Sequence, residues 1–271
     1  MDFRETAEQV MLREAVARIA ADYGHDWFAA KARAGEKTTE LWLAVGQAGF
    51  VGVNLPAEHG GGGMGISELA IVTEELAAHG CPLLLLMVSP AICGTLLARF
   101  GTPAQRERWL PPVASGEAKM VFAITEPDAG SNSHRLDTVA TRDGDGWRIS
   151  GRKHYISGVD EADAVLVVTR TGVEEGSGRG RLSLFIVDTD APGLERTPIE
   201  LVHNGPERQF LLFLDDVRVD GDRLLGDEGD GLRQVFAGLW WMARVLRTAP
   251  VSREMILNYV AEHSLGLPRS Y

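Results

Sequence analysis

The spacing of apolar residues divides the chain into a helical first part and a strand-rich middle part. Apolar residues return every three or four positions from Thr6 to about Phe28, from Thr39 to Gly49 and from Ile66 to His79, which is the period of an amphipathic helix. Further helix is predicted to about Leu110, because Thr102-Pro103 suits an N-cap followed by proline at the first helical position. The first 115 residues or so are therefore predicted to be helical.

The pattern changes after Gly116, where short β-branched or aromatic runs alternate with glycine-rich turn signals. Such runs predict an antiparallel β-barrel or sandwich. A helical pattern resumes near Gly231, so the order is helices, strands and helix without βαβ alternation, and the predicted fold class is α+β. The predicted strands are Met120–Thr125, Trp147–Ser150, Ala164–Thr171, Leu182–Asp188 and Phe210–Leu214. The predicted domains are an amino-terminal helical domain at 1–118, a central β domain at 119–230 and the start of a carboxy-terminal helical bundle at 231–271.

Composition and charge narrow the class of protein. The 271 residues carry 27 Lys and Arg against 38 Asp and Glu, a net charge of −11, and an acidic surface disfavours nucleic-acid binding. Cys81 and Cys93 lack Cys-x-x-Cys spacing and stand among apolar residues, as reduced core cysteines of a cytoplasmic protein do. The charged amino terminus lacks the apolar centre of a signal peptide.

One uncharged stretch, residues 80–98, is long enough to span a bilayer. It is interrupted at Pro82, at Ser89-Pro90 and at Gly94-Thr95. Since these residues divide it into two short apolar pieces, we expect a buried pair of helices and no membrane span.

A glycine-rich segment at Gly60–Gly65 contains the spacing Gly-x-Gly-x-x-Gly, which is typical of dinucleotide-binding loops. It follows the apolar run Phe50–Leu55 and precedes a helix, so backbone amides facing a pyrophosphate are one interpretation. The segments that follow are also helical, which favours a loop between helices. A metal site is not predicted, because the seven histidines are scattered along the sequence. A serine hydrolase is not predicted either, because no Gly-x-Ser-x-Gly motif occurs. The acidic stretch Asp215–Asp230 is predicted to be a solvated loop.

The segment from Phe122 to Asn132 carries more specific information. A strand is predicted to end at Thr125, Pro127 stops the hydrogen-bond ladder, and Gly130-Ser131 predicts a tight exposed turn. Such a turn presents backbone amides and hydroxyls at the rim of a barrel. By itself this shape serves any polar ligand, or none.

A second segment, Gly151–Gly158, places Tyr155 and Ser157 two positions apart. In a regular strand these side chains lie on one face. An aromatic ring beside a hydroxyl donor suits a flat heteroaromatic ligand, and a cross-strand Tyr–Ser pair explains the spacing equally well.

Together the two segments resemble the acyl-CoA dehydrogenase family. The resemblance rests on Thr125-Glu126-Pro127 with Gly130-Ser131, followed by Gly151-Arg152-Lys153-His154-Tyr155-Ile156-Ser157. Leu55–Gly61, Asp215–Val219 and Leu224–Gly226 are similar to the family as well, and the matches run in order from the first helix to about Arg244. The resemblance implies FAD held between a helical domain, a β domain and a carboxy-terminal bundle.

The resemblance also implies roles for particular residues. Tyr155 would pack against the flavin ring, and Ser157 would hydrogen-bond near the nitrogen that accepts hydride. Ser131 would contact both the cofactor and acyl-CoA, and Arg244 would bind the coenzyme portion, although Trp241 stands where the family often has an acidic partner for that arginine. The implied cofactor-binding residues are Phe122, Ile124, Thr125, Gly130, Ser131, Tyr155 and Ser157.

The implied reaction is α,β-dehydrogenation of an acyl-CoA thioester to the trans-2-enoyl-CoA, with electrons passed to an electron-transfer flavoprotein. A homo- or hetero-oligomer is expected. The family's glutamate base lies beyond the last residue, Tyr271, and the alternative position before the helix arginine is Ala243. No catalytic residue is therefore assigned, and this chain alone is expected not to turn over acyl-CoA. The alternatives are a non-catalytic flavin-binding relic or accessory subunit, and an NAD-binding protein that uses the Gly60–Gly65 loop.

Overall fold

The computed structural model describes residues 4–130, 132–201 and 205–236. The predicted helices are present in its first part, and the division of the chain at residues 118 and 230 stays a prediction. The helices are α1 (Ala7–Ala21), α2 (Gly24–Ala34), α3 (Thr39–Gln47), α4 (Ile66–Ala78), a π-helical segment (Met87–Gly94), α5 (Thr95–Phe100) and α6 (Pro103–Ser115).

Capping residues and glycines set the ends of these helices. The Thr6 hydroxyl accepts from the amide of Gln9 at 3.2 Å, and the Thr102 hydroxyl accepts from the amide of Gln105 at 3.2 Å, as expected at N-caps. The predicted single helix from Thr6 to Phe28 is in fact two helices. The break lies at Gly24, whose φ of 74° falls in the left-handed region.

The uncharged stretch begins with a non-helical segment at residues 80–84. Residues 85–100 then form one continuous helical segment, π-helical over Met87–Gly94 and α-helical over Thr95–Phe100, where a pair of helices was predicted. Pro90 lies inside the π-helical part, a wider coil that tolerates the missing backbone donor. No helix of the described residues is long and apolar enough to cross a membrane.

Eight described strands form one sheet in the order β6-β7-β3-β2-β4-β5-β8, and β1 pairs with β4. The sheet is sandwich-like and is not a closed barrel. Most pairings are antiparallel as predicted, but β1–β4 and β2–β4 are parallel. The strands are β1 (Met120–Ala123), β2 (Val139–Asp143), β3 (Gly146–Ser157), β4 (Ala164–Val173), β5 (Gly180–Asp188), β6 (Leu194–Ile199), β7 (Gln209–Val219) and β8 (Leu224–Leu225).

Three of these strands, β2, β6 and β8, were not predicted from the sequence. β6 is mostly exposed and polar, and β8 has two residues, so neither shows the apolar run that identifies a strand. β7 continues through Val219, and the part of the predicted acidic loop from Asp215 to Val219 is therefore strand.

The central strands are buried on both faces. Val165 and Val167 of β4 join the core shared with α1, α3 and α4, whereas Leu166 and Val168 point to a second core with α5 and α6. Because alternate residues face two apolar layers, β4 appears in the sequence as an unbroken apolar run. The sheet and the helices therefore share two apolar cores, one on each face of β4.

Candidate functional site

The carboxyl end of β1 meets β3 at an irregularity in the sheet. The amide of His154 donates to the carbonyl oxygen of Thr125 at 2.8 Å. Next to this bond, the register between β3 and β7 shifts between Lys153 and Ile156, which marks a β-bulge. The structure therefore brings together the two sequence segments that carry the family resemblance.

Tyr155 lies in this bulge with a φ of 57°, in the left-handed region that a non-glycine residue rarely adopts. Its side chain is 54% exposed, and its ring stacks on that of His154 with centroids 4.1 Å apart and planes 10° apart. A strained backbone conformation of this kind costs on the order of 1–3 kcal/mol and is concentrated at functional sites. The bulge thus presents a flat aromatic surface to solvent beside the end of β1.

Ser157 is half-buried and is bonded to Gln209 on the neighbouring strand. Its hydroxyl donates to the Gln209 side-chain oxygen at 3.0 Å and accepts from the side-chain nitrogen at 2.8 Å. Regular alternation does not hold between residues 153 and 156, so the two-residue spacing alone does not place Tyr155 and Ser157 on one face. The bulge, which no sequence pattern predicts, decides how the two side chains are oriented.

The described turn after β1 spans Glu126 to Ala129 and precedes the predicted turn at Gly130-Ser131. Glu126 and Ala129 exchange backbone hydrogen bonds of 3.1 and 3.3 Å, and Gly130 follows them as an exposed residue. β1 ends at Ala123, two residues before the predicted end at Thr125. Phe122 in the strand and Ile124 and Thr125 just after it are half-buried. The other two predicted site residues, Ser131 and Arg244, lie outside the described residues, as does the predicted bundle from residue 237 onwards.

Sequence reasoning missed the buried ion pair of Lys153 and Glu126 beneath this surface. The Lys153 ammonium lies 2.8 Å from the Glu126 carboxylate and donates to the carbonyl of Ile124 at 3.2 Å. The carboxylate also accepts from the amides of Thr138 at 3.0 Å and Asp137 at 2.6 Å. The side chains are 0% and 5% exposed. Each residue belongs to one of the two segments that carry the family resemblance. Because 27 positions separate them, no local pattern predicts their contact.

The pair changes the pKa of each partner. Burial alone raises the pKa of the Glu126 carboxyl, but the charge of Lys153 and the hydrogen bonds outweigh it and hold this pKa below its usual value. Burial lowers the pKa of Lys153 to about 8, although Glu126 opposes that change. The 2.8 Å contact between the ammonium and the carboxylate is that of a buried ion pair.

Glu126 predicts a specific acid sensitivity. Because its folded-state pKa lies below the ordinary value of 4.5, its contribution to stability is complete above pH 4.5 and is lost as the pH falls through the folded-state pKa. The free energy of unfolding, measured in urea, should fall more steeply below pH 4.5 for the wild-type chain than for the double variant Lys153→Met/Glu126→Gln. Parallel pH profiles for the two proteins would contradict this.

A groove of about 810 Å³ lies beside the site, with Gln209, the partner of Ser157, in its wall. Leu84 and Met87 line it and are 42% and 38% exposed. Leu85 and Leu86 are buried in the core, so only some residues of the uncharged stretch line the groove.

The structure does not support dinucleotide binding by the Gly60–Gly65 loop. Its amides are turned inward: Gly62 donates to the Gly52 carbonyl at 2.9 Å, and Gly63 donates to the Leu55 carbonyl at 2.8 Å. A Cβ at Gly62 would lie 2.7 Å from the Val53 carbonyl oxygen, so the glycines serve close packing of the chain. The segment 50–55 before the loop is a series of turns and contains no strand.

Comparison with known proteins identifies the family. Residues 6–117 match the model for the acyl-CoA dehydrogenase N-terminal domain, and residues 121–213 match the model for the acyl-CoA dehydrogenase middle domain. The chain therefore belongs to the acyl-CoA dehydrogenase family.

Relatives with names and structures agree with this assignment. The chain is 56% identical over 237 residues to acyl-CoA dehydrogenase FadE12 of Mycobacterium tuberculosis (strain ATCC 25618 / H37Rv), a match that covers 88% of this chain and 61% of the relative. A solved glutaryl-coenzyme A dehydrogenase in complex with glutaryl-CoA has a TM-score of 0.82 at 31% identity, covering 88% of this chain and 61% of that one. A glutaryl-CoA dehydrogenase of Mycobacterium smegmatis in complex with FADH2 has a TM-score of 0.78 at 25% identity, covering 87% and 59%. The chain thus spans about three fifths of the length of these relatives.

Proposed function

We propose that this chain forms the flavin-binding part of an acyl-CoA dehydrogenase that oxidises an acyl-CoA thioester to the trans-2-enoyl-CoA. The observation that carries the proposal is Tyr155, an exposed aromatic residue held in a strained conformation beside the end of β1. Strain at an exposed position indicates a surface built for a ligand. The proposed FAD-binding residues are Phe122, Ile124, Thr125, Gly130, Ser131, Tyr155 and Ser157.

The described residues fit a flavin. The Tyr155 ring offers a flat surface for stacking on an isoalloxazine ring. The Ser157 hydroxyl donates to Gln209 in this structure, but it can rotate to donate to a ring nitrogen while it still accepts from the Gln209 side-chain nitrogen. When bound, FAD accepts the β-hydride of the substrate. The role of the chain is to hold the ring, to aim donors at it and to exclude water from the reacting face.

The groove beside Gln209 supports an acyl substrate. Its wall is largely apolar and includes Leu84 and Met87, so an acyl chain that enters it removes apolar surface from water. We propose that Ser131 contacts both FAD and acyl-CoA and that Arg244 binds the coenzyme portion. We assign no catalytic base to this chain.

The partners and the location follow from this chemistry. The reduced cofactor needs an electron acceptor, for which we propose an electron-transfer flavoprotein, and we propose a homo- or hetero-oligomer as the working assembly. Cys81 and Cys93 are both free and buried, which suits the reducing cytoplasm that we propose as its location.

Ser157→Ala tests the assignment. We expect the variant to retain FAD, because the ring still stacks on Tyr155, but to show a shifted flavin absorbance. One hydrogen bond is worth about 1 kcal/mol, so flavin reduction should slow by up to roughly tenfold. The measurement is the absorbance spectrum of the FAD-loaded chain and its rate of reduction by dithionite.

Ser115→Ala is the matched control, because Ser115 is also half-buried and its hydroxyl donates to the Pro112 carbonyl at 3.2 Å, within α6. This variant should keep the wild-type spectrum. If Ser157→Ala leaves both the spectrum and the reduction rate unchanged, Ser157 does not contact the flavin. If the wild-type chain takes up no FAD, the proposed function is wrong.

A further inference from the structure

The buried Lys153–Glu126 pair links three segments that converge on the candidate site: β3, the exit of β1 and the start of the return toward β2. The ammonium of Lys153 donates to the Ile124 carbonyl at the exit of β1. The carboxylate of Glu126 accepts from the amides of Asp137 and Thr138, which begin the return toward β2. The pair therefore fixes both ends of the connection that contains Gly130.

Adjacent residues of the bulge bind the two successive backbone carbonyls that follow β1. Lys153 holds the carbonyl of Ile124 at 3.2 Å through its side chain, and His154 holds the carbonyl of Thr125 at 2.8 Å through its amide. The next residue is Tyr155, with its left-handed backbone. The position of the Tyr155 ring relative to Ile124 and Thr125 is therefore set by these two contacts.

Stability alone is a weak explanation for this pair. Two fully buried charges lose their hydration, and the attraction between them only about compensates for that loss, so a neutral pair of similar volume is often equally stable. A neutral pair cannot, however, replace all of these contacts. A methionine at position 153 gives no donor to the Ile124 carbonyl, and a glutamine at position 126 offers one acceptor oxygen in place of two.

We propose that Lys153 and Glu126 are positioning residues that hold the exit of β1 and the Tyr155 bulge in the geometry that binds the flavin. The inference rests on the proposed function, because it concerns the same FAD site. It assigns the pair a role in binding through the residues that it orients, without contact to the cofactor.

The test compares two double variants of the full chain. Lys153→Met/Glu126→Gln removes both charges of the pair. The control, Lys119→Met/Glu161→Gln, removes a second ion pair at the other end of β1, whose side chains are slightly more exposed, at 10% and 7%. Each flavin-free protein is titrated with FAD, the absorbance spectrum of the bound flavin is recorded, and amide hydrogen exchange is measured in the absence of flavin.

We expect the first variant to melt close to the wild-type temperature and to bind FAD at least roughly tenfold more weakly, with a changed flavin spectrum. Exchange at the amides of Asp137, Thr138 and His154 should be faster than in wild type. The control should keep the wild-type Kd within about twofold and the wild-type spectrum.

Wild-type affinity and spectrum in the folded first variant would overturn the inference while leaving the proposed function intact. An equal loss of affinity in the control would also overturn it, because the effect would then belong to any buried pair. If the first variant does not fold, the single variant Glu126→Gln is tested instead. We expect its Kd for FAD to rise by at least about threefold, and an unchanged Kd would contradict the inference. Failure of the wild-type chain to bind FAD would defeat the proposed function and the inference with it.

Discussion

Replacing Lys153 alone by methionine should lower the free energy of unfolding by about 3–5 kcal/mol, because it leaves the Glu126 carboxylate buried without its counter-ion. The carboxylate keeps its two backbone amides, but these do not replace a full positive charge 2.8 Å away. Since domains have net stabilities of only about 5–15 kcal/mol, a loss of this size leaves the chain close to unfolding at ordinary temperatures. The measurement is urea unfolding at pH 7, followed by circular dichroism.

Two comparisons make this result specific. The double variant Lys153→Met/Glu126→Gln should recover most of the lost stability, because no unpaired charge remains. Lys31→Met removes a lysine that pairs with Glu36 and Glu40 at the surface, and it should leave the unfolding midpoint nearly unchanged. A loss below about 1 kcal/mol for Lys153→Met would mean that water reaches Glu126, contrary to its burial.

Phe185→Ala should cost a similar amount, about 3–5 kcal/mol, for a different reason. Phe185 is fully buried on β5, and its ring meets that of Trp147 edge to face with centroids 5.1 Å apart. The substitution removes the ring from the core between the sheet and the helices and leaves a cavity that neighbours fill only in part. Thermal or urea unfolding of the two proteins measures the effect.

Tyr155→Ala is the control for Phe185→Ala, because it also truncates an aromatic side chain, but at an exposed position. It should leave the unfolding midpoint nearly unchanged and weaken FAD binding instead. The two variants thus separate the aromatic residue that holds the fold from the one that we assign to the cofactor. Equal losses of stability in both would show that Tyr155 is part of the core.

The lysine and tyrosine of one short segment therefore have different roles, although they are only two positions apart. Lys153 is buried and holds the strand exit, whereas Tyr155 is exposed and strained. The β-bulge between Lys153 and Ile156 is what allows the change from an inward to an outward position.

The sequence by itself determined that a helical part precedes a strand-rich part, and it identified the family. Helical periodicity located α3 and α4 nearly to their ends, and the unbroken apolar run located β4, because these patterns are set by what each residue faces along one element. The motifs around Thr125 and Tyr155 identified the family, because a motif is recognised from residue types and their spacing without information about tertiary contacts.

Only the tertiary structure decided how the site is built. The Lys153–Glu126 pair joins residues that are 27 positions apart, and its burial depends on layers contributed by other strands and helices. The bulge at Tyr155 depends on the register with β7, and the amides of residues 61–64 are turned inward by hydrogen bonds to carbonyls of residues 52–56. Local pattern carries no information about such long-range contacts, because periodicity reports which face of an element is buried and not what covers it.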